Sequence, residues 1–278
     1  MKHPGERWRV APASHLSLDE IDPAGTPGAP GDRAATDATI PHLHEQLFSL
    51  QDRLWGEARR SLLVVLQGMD TAGKDGTIKH VFGGVNPQGT RVAAFKQPTP
   101  EELGHDFLWR VHQRAPRAGE IGIFNRSHYE DVLIARVDRL VEKSVWRERF
   151  DLINAFERTL AHGGTTIIKV FLHISRDEQG RRLTERLERP DKRWKTDKSD
   201  FTERKRWDDY HAAYTEAIER TSTETASWYV VPADHKWYRN WAVSRILVET
   251  LKAMDPRFPE PPPPDVPGDE APLRSRPK

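Results

Sequence analysis

The stretch Leu62-Leu-Val-Val-Leu-Gln-Gly-Met-Asp-Thr-Ala-Gly-Lys-Asp-Gly-Thr77 constrains the fold more than any other part of the chain. The apolar run Leu62 to Leu66 reads as a strand buried on both faces. It leads into a glycine-bearing turn and then a helix. Gly68 and Gly73 bracket four residues and Lys74 follows, which satisfies most of the phosphate-loop pattern G-x-x-x-x-G-K-[ST]. Glycines let backbone N–H groups approach phosphate oxygens, while the helix N-terminus and the lysine ammonium add positive charge. The phosphate-binding set read from this loop is Gly68, Ala72, Gly73, Lys74, Asp75 and Gly76. The last letter of the pattern fails: position 75 is Asp, so the hydroxyl that usually holds Mg²⁺ is missing. Asp70 lies inside the loop instead, where a carboxylate facing phosphate needs a divalent cation between them. Asp70 is therefore read as a metal ligand, and Asp75 as a helix-start acid favoured by the dipole. An ordinary strand–turn–helix corner with chance glycines is the bland alternative.

Around this loop, strands are predicted at Arg91–Lys96, Gly119–Phe124, Thr165–Ile174 and Trp228–Val231. Helices are predicted at Ile40–Arg60, Asp75–Val85, Glu101–Gln113, from Asp131 through Leu140, Ser144–His162, Asp200–Thr221 and Tyr238–Met254. Strands that alternate with helices and are apolar throughout predict an α/β fold, a parallel sheet sandwiched between helices. Ligands then bind beyond the C-terminal strand ends, where residues 67–76, 96–97, 125–131, 175–195 and 232–236 all fall. Residues 1–38, rich in Pro and Gly, read as a flexible arm with anchors at Trp8, Val10, Leu16 and Leu18. Residues 39–256 form the main domain, and 257–278 a Pro-rich, disordered tail.

The chemistry-bearing residues sort by what phosphoryl transfer needs, which is positioning and charge neutralisation. Lys74 contacts terminal phosphate oxygens. At the third strand's end Asn125 carries no charge, but Arg126 can clamp phosphate with two parallel hydrogen bonds. Glu130 is the candidate second metal-organising carboxylate; with Asp131 it also fits a pair of solvated helix-start acids. The segment at about 176–198 is dense in base. Within it Arg182, Arg186 and Arg189 share a helix face by their spacing, followed by Lys192 and Lys195. This basic segment is expected to act as a lid over the strand ends, supplying charge to the transferring group. Its alternatives are a solvated helix laced by Glu185 and Glu188, or a nucleic-acid surface in which Trp194 stacks. Lys96 extends the positive lining or is an ordinary surface charge. His105, His112 and His128 lack metal-ligand spacing.

Composition settles less. The chain has 278 residues and no cysteine, and its 43 basic residues nearly balance 42 acidic ones. No polyanion partner follows from the whole-chain charge, and no apolar run approaches the roughly 18 residues of a membrane span. A cytoplasmic enzyme with no membrane partner is the expectation.

Taken together, Gly68-Met-Asp-Thr-Ala-Gly-Lys-Asp-Gly76, Phe95-Lys-Gln-Pro-Thr99, His105-Asp-Phe-Leu-Trp-Arg110, Gly119 through Val132, the basic Arg182–Lys195 segment and Pro232 through Trp241 resemble the second polyphosphate kinase family. The likeness covers about residues 40 to 256. It implies a P-loop kinase-like fold with a lid, and Mg²⁺-dependent phosphoryl transfer between inorganic polyphosphate and nucleotides, with Mn²⁺ as the alternative ion. It implies catalytic roles for Asp70, Lys74, Arg126 and Glu130, metal binding by Asp70 and Glu130, and phosphate binding by Lys96, Arg126 and the lid residues Arg182, Arg186, Arg189, Lys192 and Lys195. Many members carry Asp at the position of Asn125 and Asn at that of Glu130. The pair found here is similar to the subgroup that phosphorylates both AMP and ADP. Adenine nucleotides, with guanine nucleotides as further acceptors, no nucleic acid, and a homo-oligomer are what the resemblance implies about partners. An ATP-dependent nucleoside monophosphate kinase and a nucleic-acid-binding P-loop module are the rival readings.

Overall fold

The computed structural model describes residues 5–195, 202 and 204–260, without the side chain of Lys195. Six strands form one sheet in the order β1-β6-β5-β2-β4-β3. They are β1 (Arg9–Val10), β2 (Ser61–Gln67), β3 (Thr90–Ala94), β4 (Ile121–Asn125), β5 (Thr165–His173) and β6 (Ala226–Pro232). All neighbours run parallel except β1, which lies antiparallel to β6. The α/β parallel-sheet expectation holds, and each predicted strand is present. β2 is central because its residues Leu62 to Leu66 are apolar on both faces, and all five are fully buried.

Helices cover both faces. Those used below are α1 (Ile40–Glu57), α2 (Lys74–Val81), α3 (Lys143–His162), α4 (Arg176–Glu188), α5 (Trp207–Thr221) and α6 (Lys236–Met254). α6 packs against α1 and α2 on one face, while α3 and α5 pack together over β5 and β6 on the other. Among the described residues no helix is long and apolar enough to cross a membrane.

Two expectations about elements need correction. The single helix expected over Glu101–Gln113 is two short turns, Pro100–Leu103 and Trp109–His112. Thr99 and Glu102 build a reciprocal cap at the first, but Gly104 ends it. The Asp106 carboxylate then accepts from the Leu108 N–H at 2.9 Å, turning the chain. The helix expected through Leu140 is likewise a 3-10 turn, His128–Asp131, followed by Ile134–Val137.

The arm from residue 5 to 38, expected to be flexible, is packed. Trp8, Val10, Leu16 and Leu18 are all buried, and β1 extends the sheet at β6. The Trp8 indole donates to the Tyr238 hydroxyl at 2.9 Å, which donates to the Pro27 carbonyl at 2.8 Å. Further along, the Asp234 N–H donates to the Pro23 carbonyl at 3.1 Å. Prolines and glycines here preset turns between apolar anchors, which is a different use of the same composition. The tail expected to be disordered falls, from residue 261 onward, outside the described residues, as does the lid's end at 196–198.

Register brings the strand ends together. Leu66 of β2 lies opposite Asn125 of β4 and Val170 of β5, and Ala94 of β3 also lies opposite Asn125. From β2 the chain continues to β3 and β4 on one side, then to β5 and β6 on the other. That reversal opens a crevice at the C-terminal end of β2, and the phosphate loop occupies it.

Candidate active site

The loop from Gly68 to Gly73 joins β2 to α2, and Gly73 caps the helix. The Lys74 ammonium curls back to donate to the Gly68 and Met69 carbonyls at 2.6 and 3.4 Å. Arg126 follows β4, with its N–H still donating to Leu66 at 3.1 Å. Its guanidinium meets the Asp70 carboxylate at 2.8 Å. Thr71 and Arg126 both adopt left-handed φ, +63° and +61°. For side chains with a Cβ this is costly, and such positions concentrate where a site demands one particular geometry. The Asn125 amide donates to the Asp75 carboxylate at 2.8 Å, tying β4 to the first turn of α2.

Glu130 lies on the 3-10 turn after β4. Burial pushes its carboxyl pKa up, Arg126 and Lys74 oppose that, and the negative charge of Asp70 adds to it. The four residues read as catalytic therefore act on one another in one place. The Gln67 amide at the end of β2 donates to the Glu130 carboxylate at 3.1 Å and to the Ser127 hydroxyl at 3.2 Å, while the Tyr214 hydroxyl reaches the Gln67 carbonyl oxygen at 3.4 Å. Sequence reasoning missed Gln67. Its signal was a polar residue closing a wholly buried apolar strand, since a buried amide must find partners.

Behind Glu130 sits a second group. The Lys169 ammonium, fully buried on β5, donates to Glu157 of α3 at 2.6 Å, to the Tyr129 hydroxyl at 2.9 Å and to the Thr221 carbonyl at 2.7 Å. Glu157 also accepts from Tyr129 at 2.8 Å and lies 3.2 Å from the His128 ring. Burial alone would raise the Glu157 carboxyl, but Lys169 and His128 outweigh it and hold it below its ordinary range. His128 and Tyr129 immediately precede Glu130, so this network fixes the turn that presents it.

The donor set fits Mg²⁺. Among the described residues no cluster of three or more His, Cys, Asp or Glu forms a closed cage. Asp70 and Glu130 instead offer two interacting carboxylates beside a phosphate loop. Mg²⁺ is characteristically held that way, by one or two carboxylates with phosphate oxygens and water completing the shell.

The basic segment divides. Ser175 caps α4, its hydroxyl accepting from the Glu178 N–H at 3.1 Å, and Arg189-Pro190 ends the helix. Arg182, read as a phosphate-binding lid residue, is not an exposed side chain: its guanidinium is buried against the phosphate loop. It is 6% exposed. It donates to Glu178 at 2.7 Å, to the Thr71 and Ala72 carbonyls at 3.0 and 3.1 Å, and to the Ala233 and Asp234 carbonyls at 2.7 and 2.8 Å. Spacing identified its helix face but not that this face turns inward, where a guanidinium is stable once its donors are satisfied. Arg189 leaves the helix and pairs with Asp191 at 2.7 Å. Arg186 is partly exposed, and Lys192 lies 3.8 Å from Glu185. The Lys195 side chain lies outside the described residues. Lys96 is exposed beyond β3, and its carbonyl accepts from Arg110 at 2.8 Å.

Residues 31–259 match the sequence model of the family described as Polyphosphate kinase 2. The chain belongs to that family. Over 256 residues it is 53% identical to the AMP/ADP-polyphosphate phosphotransferase of Meiothermus ruber, covering 92% of this chain and 96% of that one. The ADP-polyphosphate phosphotransferase of Rhodopseudomonas palustris is 44% identical over 78% of this chain and 79% of its own. The crystal structure of polyphosphate kinase 2 from Arthrobacter aurescens superposes with a TM-score of 0.90 at 46% identity, covering 94% of this chain and 93% of the other. Such a polyphosphate kinase 2 scaffold accounts for the strand order and for the loop at the crevice.

Proposed function

We propose that this polyphosphate kinase 2 transfers the terminal phosphoryl group of inorganic polyphosphate to AMP and to ADP, giving ADP and ATP. The observation that carries the reading is the convergence of Asp70, Lys74, Arg126 and Glu130 at the end of β2, in a chain whose relatives are named for this transfer. In the step, the bond between the terminal phosphorus and its bridging oxygen breaks. A new bond forms to an acceptor phosphate oxygen, and the shortened polymer leaves with the electron pair. The acceptor oxygen is already ionised at neutral pH, so no general base is needed, and the main task is to offset negative charge. Lys74 and the α2 N-terminus bind the phosphates. Arg126 steadies the transferring group with its planar fork. Asp70 and Glu130 would hold Mg²⁺, or Mn²⁺ in its place, which neutralises charge between donor and acceptor when bound.

The pairing of Asn125 with Glu130 supports use of both acceptors. Guanine nucleotides as further acceptors, a homo-oligomer and a cytoplasmic setting belong to the same proposal and are supported by the family likeness. Purified protein with Mg²⁺, polyphosphate and ADP is expected to make ATP, and with AMP to make ADP first. No product from either nucleotide would overturn the reading. Turnover of AMP with ATP alone, independent of polyphosphate, would favour a nucleoside monophosphate kinase. Steeply salt-dependent RNA or DNA binding without turnover would favour a nucleic-acid module. Glu130→Asn is expected to weaken AMP use while ADP use is partly kept. Equal retention of both activities refutes the role given to Glu130.

A further inference from the structure

The phosphate loop is held from beneath by a second guanidinium. Arg239, on the first turns of α6, is 2% exposed. Its Nη1 donates to the Ala72 carbonyl at 3.2 Å, and its Nε and Nη2 donate to the Asn240 side-chain oxygen at 3.2 and 2.9 Å. Ala72 thus receives two guanidiniums, since Arg182 donates to the same carbonyl at 3.1 Å. A trans peptide carries its N–H opposite its carbonyl, and the described backbone has no cis bond. Drawing the Ala72 carbonyl inward therefore turns the Gly73 N–H outward, to the side from which α2 presents its N-terminus. Gly73 itself is shaped by Arg239. Its φ is +107°, and a Cβ there would overlap the Arg239 Nη1 and lie 2.8 Å from its Cζ. The second glycine of the loop is thus needed as much for the guanidinium below as for phosphate above.

We propose that Arg239 is a positioning residue of phosphate binding: together with Arg182 it fixes the Ala72–Gly73 peptide and supplies positive charge directly beneath the bound polyphosphate. Charge supports this placement independently of the hydrogen bonds. Among the described residues no carboxylate pairs with Arg239, and burial, aided by Arg182, lowers its pKa to about 9. A buried cation beside a like charge is costly within the protein alone. A polyanion across a single layer of backbone provides the missing opposite charge. The proposal rests on the polyphosphate reading above for its ligand.

Arg239→Met, which keeps length and apolar bulk, and Arg239→Lys, which keeps charge but not the fork, test it. Thermal melting with and without tripolyphosphate, and ATP synthesis from ADP at varied polyphosphate, are the measurements. Arg239→Met is expected to melt near the parent without ligand, because Arg182 still satisfies Ala72 and an uncompensated charge has been removed. Its tripolyphosphate-induced melting shift should vanish and its KM for polyphosphate rise about ten- to a hundredfold, the size of one charge-assisted hydrogen bond. Added guanidinium at millimolar concentration should restore part of the activity, and Arg239→Lys should fall between. An unchanged melting shift and KM in Arg239→Met would overturn the proposal. So would a variant that merely melts earlier while those that remain folded, Arg239→Lys and Arg239→Gln, bind tripolyphosphate as the parent does. If the parent made no ATP, the proposed function would fall. The melting shift would still decide whether Arg239 supports anion binding.

Discussion

Gln67 matters beyond its size, because its amide donates to the Glu130 carboxylate, which burial is pushing toward protonation. Replacing it by leucine removes that donor, so the Glu130 pKa must rise further. In the role proposed for Glu130 the carboxylate is the working form, so activity is expected to fall as pH falls through its pKa. The acid limb of the pH–rate profile for Gln67→Leu is therefore expected to move to higher pH; an unmoved limb would separate Gln67 from Glu130 function. That Lys74, Asp70 and Arg126 come together was legible in the sequence, because a backbone pattern and a strand end place them without knowledge of neighbours. Gln67 and Arg239 were not, because their roles depend on which distant residues face them. The burial of Arg182 was not legible for a related reason: periodicity groups residues on a face but does not say whether that face meets solvent or protein.

The turn that carries Glu130 owes its shape to the network joining β5, α3 and the residues after β4. Removing one member leaves an uncompensated buried charge, which typically costs about 3–5 kcal/mol. Lys169→Met is expected to lose stability of that order in urea unfolding, and the double variant Lys169→Met/Glu157→Leu much less. A double variant as unstable as the single would show that packing, not charge, holds the turn. β5 was readable as a strand from its β-branched run, although a lysine sits in its middle. The two helices that failed to appear after β3 and β4 show the opposite limit. There Gly104, Asp106 and the short-range hydrogen bonds of Ser127 compete with helix over spans too short for periodicity to decide.

The packed arm changes what counts as the folded unit. Each of Trp8, Val10, Leu16 and Leu18 contributes roughly 1.5–3 kcal/mol by burial, and β1 covers the outer edge of β6. A chain beginning at residue 39 is expected to melt at lower temperature and to aggregate through the uncovered edge. A truncated form as stable and monodisperse as the whole would refute that. Acid should loosen the same region. His173 is 3% exposed and lies 3.0 Å from the Ile21 carbonyl, and its Nδ1 is buried with no hydrogen-bond partner found among the described residues. Burial holds its pKa below the ordinary value of about 6.5. The unfolded chain therefore binds more protons there, so stability rises with pH up to about 6.5 and falls below it. His128, lowered in the same direction by burial, contributes with the same sign. His173→Phe is expected to flatten the dependence of stability on pH between about 5 and 7, and an unaltered slope would assign the effect elsewhere.

The antiparallel pairing of Arg9 with Tyr229 and of Val10 with Trp228 also orders events during synthesis. Of the six strands described, β1 is made before the others and paired after them, because β6 must emerge before the sheet can accept it. Until then Trp8, Leu16 and Leu18 lack the surface that buries them in the finished fold. Long-range closure of this kind is slow to reach. It also means that an interrupted transcript ending before β6 yields a chain with a phosphate loop but no secured N-terminus.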